Sequence, residues 1–443
     1  NEYGIDGKVL DLENEVVKVF SRMAYDGITV DVDKYRSQVI KNVKKAVNDA
    51  IFNLDQEVHN EPKLERFRIH QGNLFDNARK TDINWNSPNQ KLQILRYIKA
   101  DIESTSASTI RKELEHPIKH SLLDYNKNKK LEDAFGEKLL DNVNSVTKRM
   151  HPSVWQILAT GRISMRNPNL LQVPSKGDLG QIIRSCFVPR EGYKMVGGDY
   201  SSFELAIIAE YSGDPLWIDT LNAGKNLHTT LCMETFDLPE SKVKDPFPFN
   251  PDMTYRDIQK TLDFGLSYGM SEYKLSNTIG VSIEHAREII DKFFSKVPKV
   301  KAFLERLAYL GRTRGYIRVP NPYGRIRFFP KYEFIQKYPG YAEEYKKKWY
   351  GEMERMAKNT PIQGVNAEAI KIALVNAHKA IKNKGYSARL LLSIYDELQT
   401  ECREDQAEQW KDELENIMVE ASRVYIKNVP VEADCSISDY WKK

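Results

Sequence analysis

The sequence predicts an α+β protein, and three observations carry that reading. Two apolar segments have the composition of strands and each leads to an acid: KMVGGD closes on Asp199, and LLLSIYDELQTEC runs from residue 390 through Tyr395-Asp396-Glu397 into an alternating tail. Apolar residues recur at intervals of three and four over residues 35–54, 362–381 and 407–424, which marks amphipathic helices. Between residues 55 and 150 helical patterns continue while strand signals are few.

With 443 residues, 41% of them hydrophobic, the chain can bury a large core and divide into two or three domains, which excludes a disordered protein. Cys186, Cys232, Cys402 and Cys435 lie far apart, with no CxxC pair and no His at zinc-ligand spacing. Neither a disulfide framework nor a zinc site is indicated, and a reducing compartment fits. No apolar run reaches bilayer-spanning length and no signal-peptide pattern is present, so a soluble protein with no membrane partner is expected. A net charge of +4 decides nothing about polyanions. The first residue is Asn1 rather than Met, so a trimmed or processed piece is expected.

In chain order, GITVDVD reads as a strand, followed by a long helix burying Tyr35, Val39, Val43, Ala46, Val47, Ala50 and Leu54. NKNKK at 126–130 has two readings, a solvated helix surface or a phosphate-tracking patch. The stretch from 191 to 214 reads as a strand ending at Asp199 and a helix carrying Leu205, Ile207 and Ile208. YRDIQKTLDFGLSYG at 255–269 sets Arg256, Lys260, Phe264 and Tyr268 at helical spacing, so one face is basic and aromatic together. A helix over 362–381 feeds the segment at 390–402, and a last helix follows it.

The acids of that segment could mark a solvated hairpin turn, since Asp favours turns, or a site for a hard divalent cation. The second reading needs another carboxylate, and Asp199 supplies one at the end of a comparable strand. Two such strands side by side make an acidic ledge able to hold two divalent ions. Arg256 and Lys260 add positive charge for a triphosphate, and Phe264 and Tyr268 add flat surfaces for a base or sugar. Carboxylates, cations and aromatics in this combination specify nucleotidyl transfer.

DYSSFELAIIAEYSGD, RDIQKTLDFGLSYG and IYDE resemble the three polymerase motifs of family A, the DNA polymerase I type. TGRISMRNPNLLQVP, LHTT, ERMAKNTPIQG and INWNSPNQ resemble further segments of that family, and the likeness is strongest from about residue 152 onward. The resemblance implies a right-hand architecture: palm from 1–30, 151–210 and 365–443, thumb from 31–150 and fingers from 211–364. It implies Asp199 and Asp396 as ligands of two magnesium ions, with manganese as a substitute, Tyr200 lending its carbonyl and Glu397 supporting. Glu204 matches the steric gate against a ribose 2′-hydroxyl. His228, Arg256 and Lys260 match the triphosphate-binding set, Lys260 also serving as general acid. Phe264 would stack on the incoming nucleotide and Tyr268 would guard the template position. Arg162, Asn169, Gln172, Arg355 and Gln363 match residues that contact the duplex near the primer end, where Tyr395 would also pack.

The family usually has Gln at the position of Ser202, Arg at that of Ala206 and His at that of Tyr395, and the Pro-rich stretch at 238–255 is longer than usual. A divergent, phage-like member is the expectation, extending primer–template DNA with dNTPs and releasing pyrophosphate. The alternatives are a single-subunit RNA polymerase and a catalytically inactive nucleic-acid-binding relative. A monomeric polymerase unit in the cytoplasm or nucleoid, with an upstream exonuclease domain or processivity partner, fits the same resemblance. DLE at 11–13 reads as a solvated helix start, and proofreading by this chain is not expected.

Overall fold

The computed structural model describes residues 7–69, 81–175 and 177–442. Helix α1, Lys8–Asp26, buries Leu12, Val16, Val19, Phe20 and Met23. The strand Ile28–Val30 then joins a small antiparallel sheet with Arg149–Met150 and Phe187–Val188. Asp31 accepts from the backbone N–H of Lys34 at 2.9 Å and so starts the next helical stretch. A π-helical turn over Tyr35–Ile40 leads into α2, Lys41–Asn60, which buries Val43, Val47, Ala50, Leu54 and Val58 as its periodicity requires. Helix α3, Ile118–Phe135, packs along α2, and the Tyr35 hydroxyl donates to the carbonyl of Phe135 at 2.9 Å. The NKNKK lysines lie on α3, where Lys129 pairs with Glu132 at 2.7 Å and Lys127 and Lys130 face solvent.

In the second half, β1, Tyr193–Ser201, passes through Asp199 and runs two residues beyond the expected end. Then come α4, Phe203–Ser212; α5, Leu227–Phe236; α6, Tyr255–Ser267; α7, Pro298–Arg314; and α8, Pro339–Lys384. The chain closes with β2, Ala388–Ile394; β3, Glu397–Arg403; α9, Ala407–Ser422; and β4, Glu432–Ser438. The four strands form one antiparallel sheet in the order β2-β3-β1-β4. Helix α9 covers one face so closely that a Cβ on Gly198 would lie 2.6 Å from the Met418 sulfur. Within that layer Trp410 donates from Nε1 to Thr400 at 2.9 Å, and Thr400 donates to the carbonyl of Val196 at 2.8 Å. Among the described residues no helix is long and apolar enough to cross a membrane.

Two expectations need correction. The helix expected over 362–381 extends to 46 residues and carries Pro361 inside it, so the 364/365 division falls within one continuous helix. A proline in a helix interior costs about 3 kcal/mol through its lost N–H and ring clash. Burial of Ile362, Val365, Ala369, Ile370, Ala373 and Ala377 beyond it outweighs that cost. Glu13 of the DLE cluster is buried, because Lys371 and Arg325 reach it from α8 and from the β-hairpin Tyr316–Arg318/Ile326–Phe328 and its turn.

Candidate active site

The two expected metal-binding acids meet because of strand register. Ile394 pairs with Glu397, so β2 and β3 are joined by the two-residue turn Tyr395-Asp396, with Tyr395 in the left-handed region at φ 58°. Glu397 in turn pairs with Asp199 on β1, and the backbone N–H of Tyr200 donates to the carbonyl of Asp396 at 3.3 Å. Asp199 on β1 and Asp396 in the neighbouring turn therefore lie side by side, both half-buried. Among the described residues no group of three or more His, Cys, Asp or Glu side chains is arranged to hold a metal ion. Two carboxylates with a backbone carbonyl still suit magnesium, which keeps several waters and takes one or two carboxylates plus substrate phosphates rather than a full protein cage.

Glu397 is only 1% exposed and engaged from three sides. Arg184 donates to both its oxygens at 3.2 and 3.3 Å, Gln399 donates from Nε2 at 2.8 Å, and Trp441 donates from its indole nitrogen. The Arg184 guanidinium also lies over the Trp441 ring at 4.3 Å. Glu397 thus anchors the turn from within the fold. Arg184 and Trp441 were missed by sequence reasoning, although a lone cation in the apolar run QIIRSCFV is a signal of a buried partner.

Helix α6 presents the expected basic and aromatic face. Its start is set by a capping box: Thr254 accepts from the N–H of Asp257, and Asp257 accepts from the N–H of Thr254. The Pro-rich stretch before it forms the small hairpin Pro246–Phe247/Asn250–Thr254, packed through Phe236, Phe247 and Tyr255. Arg256 then reaches Thr229 Oγ1 at 3.3 Å and Asn226 Oδ1 at 3.2 Å, Lys260 is exposed, and Phe264 and Tyr268 are half-buried. His228, one residue into α5, bonds through Nδ1 to Asp263 at 2.6 Å.

Four residues with separate expected roles form one connected chain. The Tyr268 hydroxyl donates to Glu204, Arg162 donates to the other oxygen of Glu204 at 2.7 Å, and the Arg162 guanidinium lies 5.7 Å from the centre of the Tyr395 ring. Burial, with the Glu204 charge adding, pushes the Tyr268 phenol well above its ordinary pKa. Gly269, at φ 75°, lets the Arg355 side chain lie against it, where a Cβ would be 2.9 Å from Arg355 Cγ. Arg355 is exposed and Gln363 half-buried, both on α8. Asn169 and Gln172 stand exposed at a short turn, where Asn169 accepts from the N–H of Leu171 at 3.2 Å. Ala206 is 3% exposed among apolar neighbours, which leaves no room there for the family's arginine. Changing Tyr395 to His would put a titratable ring beside Arg162. Extension of primer ends by Tyr395→His is expected to vary between about pH 6 and 7.5 where the wild type does not, since only imidazole gains a cation there. Parallel pH profiles for the two proteins would refute this.

The antiparallel sheet with its acidic turn, faced by a helix that presents Arg256, Lys260, Phe264 and Tyr268, defines a right-hand polymerase fold. A solved structure described as the POL domain of Pol1 from M. smegmatis, in complex with DNA primer-template and dNTP, matches over 97% of this chain and 70% of that chain with a TM-score of 0.80 and 27% identity. The family model for DNA polymerase family A matches residues 38–443, and the chain belongs to that family. Relatives include the thermostable DNA polymerase I of Thermus filiformis, 36% identical over 74% of this chain and 36% of that protein. A thermostable DNA polymerase I of Thermus thermophilus is 32% identical over 98% of this chain and 48% of that protein. The chain thus spans between about a third and a half of the curated relatives it matches.

Proposed function

We propose that this chain is the polymerase region of a template-directed DNA polymerase, extending a primer 3′ end with dNTPs and releasing pyrophosphate. The observation that carries the reading is the register that sets Glu397 opposite Asp199, which brings Asp199 and Asp396 together. We assign residues 1–30, 151–210 and 365–443 to the palm, 31–150 to the thumb and 211–364 to the fingers, with α8 running unbroken from fingers to palm.

Asp199, Asp396 and the carbonyl of Tyr200 would hold two magnesium ions, or manganese, which when bound supply activation of the primer hydroxyl and neutralisation of phosphate charge. His228, Arg256 and Lys260 bind and orient the triphosphate, and Lys260, exposed on α6, hands a proton to the departing pyrophosphate. Phe264 stacks on the incoming base, and Tyr268 holds the template-side boundary beside Gly269. Arg162, its side chain 26% exposed, would turn its accessible guanidinium N–H groups to the minor-groove acceptors every base pair presents. Asn169, Gln172, Arg355, Gln363 and Tyr395 contact the duplex around it.

Glu204 excludes the ribose 2′-hydroxyl because Arg162 and Tyr268 pin both its oxygens. Truncation to Ala should lower the preference for dNTP over rNTP by roughly 10²-fold, read as the ratio of kcat/KM values in primer extension. An unchanged ratio would remove the gate from the mechanism. The proposal as a whole is tested by extension of a labelled primer on its template with magnesium, and absence of extension by the wild type refutes it.

A further inference from the structure

Asp263 is a carboxylate with 0% exposure on the buried side of α6, where Ile258, Gln259, Leu262 and Leu266 are its neighbours along the helix. One oxygen meets His228 Nδ1 at 2.6 Å and the other accepts from Gln259 Nε2 at 2.7 Å. Gln259 Oε1 is buried without a hydrogen-bond partner among the described residues. Hydrogen bonding alone would be better served by asparagine: its amide could donate to Gln259 after an amide flip, its carbonyl could accept from His228, and no charge would be buried. What the carboxylate offers and the amide cannot is a countercharge for a cation.

We propose that Asp263 is a positioning residue that holds His228 as an imidazolium, with Nδ1–H committed to Asp263 and Nε2–H left for the triphosphate of the incoming nucleotide. This rests on reading His228 as a triphosphate ligand. Nε2 has no partner among the described residues, and the ring stands 5.5 Å from Phe264, the residue assigned to the nucleotide base. Two further cations lie on the same helix face, Arg256, which donates to Thr229 and Asn226, and the exposed Lys260. A third adjacent cation needs a fixed negative partner, and Asp263 is the carboxylate placed to be one.

The other charged groups on elements packed against α5 face solvent or are engaged elsewhere: Asp257 caps α6 through Thr254, and on the helix Ile283–Lys296 Glu284, Arg287, Glu288 and Asp291 are exposed while His285 lies against Phe249. Cys232 lies one turn along the same helix, its thiol pushed up to about 12 by burial with Asp263 adding, so it is neutral. From the helix Ile283–Lys296, Lys292 pairs with Asp237 and Lys296 with Glu234 and Asp237, at the far end of α5. Asp219 on the helix Pro215–Asn222 is exposed, as are Glu240 and Lys242 on the 3-10 turn after α5. Burial pushes the Asp263 carboxyl upward in pKa, and the hydrogen bond and charge of His228 oppose that rise.

The test is steady-state primer extension by wild type, Asp263→Asn, His228→Gln and the double variant across pH, with thermal melting to show each is folded. Asp263→Asn is expected to raise KM for dNTP about tenfold at about pH 8 with little change in kcat. The deficit should shrink toward about pH 6, where imidazole protonates without help. In the His228→Gln background the Asp263 change should add nothing. If His228→Gln raises KM while Asp263→Asn leaves it unchanged, or if the two effects add, the inference is overturned. If His228→Gln itself leaves KM unchanged, the triphosphate reading of His228 fails instead.

Discussion

Replacing Asp199 or Asp396 by alanine is expected to lower the single-turnover rate of primer extension with magnesium by on the order of 10³-fold or more, with primer–template binding retained. Both carboxylates are half-buried at the same end of the central strands, so each can reach a ligand while Asp199 is held by the ladder and Asp396 by the turn bonded to β1. The scaffold should survive either change. The contact that ties Asp396 to β1 is a backbone bond from the Tyr200 N–H to the Asp396 carbonyl, which alanine keeps. Glu397 provides the contrast. Its carboxylate is locked by Arg184, Gln399 and Trp441, so its removal would strand a buried Arg184 and act through the fold. Extension at wild-type rate by either Asp variant would sink the assignment of the ledge.

Arg325→Ala is expected to cost about 3–5 kcal/mol of stability, the size of effect seen when one partner is taken from a buried ionic network. Arg325 bridges Glu13 on α1 and Glu368 on α8, the latter at 3.1 Å, and its side chain is 10% exposed. Lys371 donates to Glu13 at 2.6 Å and to the carbonyl of Gln156 at 2.9 Å, while Tyr425 donates to Glu368. Burial pushes Lys371 down to about 8 and Glu368 upward, so both depend on their partners to stay charged. Without Arg325, Glu368 keeps only a phenol as donor, and Glu13 keeps Lys371 and the Gln156 amide. The denaturant midpoint reads the loss. Breaking the exposed Lys384–Glu413 pair, 2.7 Å long, should leave that midpoint where it is. Equal shifts for the two would show that burial does not set the cost.

Much of the candidate site could be read locally. The face of α6 follows from spacing, since residues 256, 260, 264 and 268 fall on one side of any helix. The hairpin followed from an apolar run broken by Asp and resumed in alternation, and Asp396 does sit in its turn; the metal ledge is the reading that the two Asp variants test. Asp263 had a signal that went unused, an acid on the apolar stripe of its helix, where a buried partner is required. Glu13 misled because an acid near a helix start is most often solvated, and the cations that bury it lie more than 300 residues away.

The helices over 35–54, 362–381 and 407–424, the strands leading to Asp199 and Asp396, the two metal-binding candidates and the family were legible in the sequence, because periodicity and motif spacing are written within a few tens of residues. Only the tertiary structure decided that Glu397 faces Asp199, that Arg184 holds Glu397, that Asp263 holds His228, and that α8 continues through Pro361. Each of these depends on register or burial between segments distant in the chain, and no local pattern encodes which buried charge will find which partner.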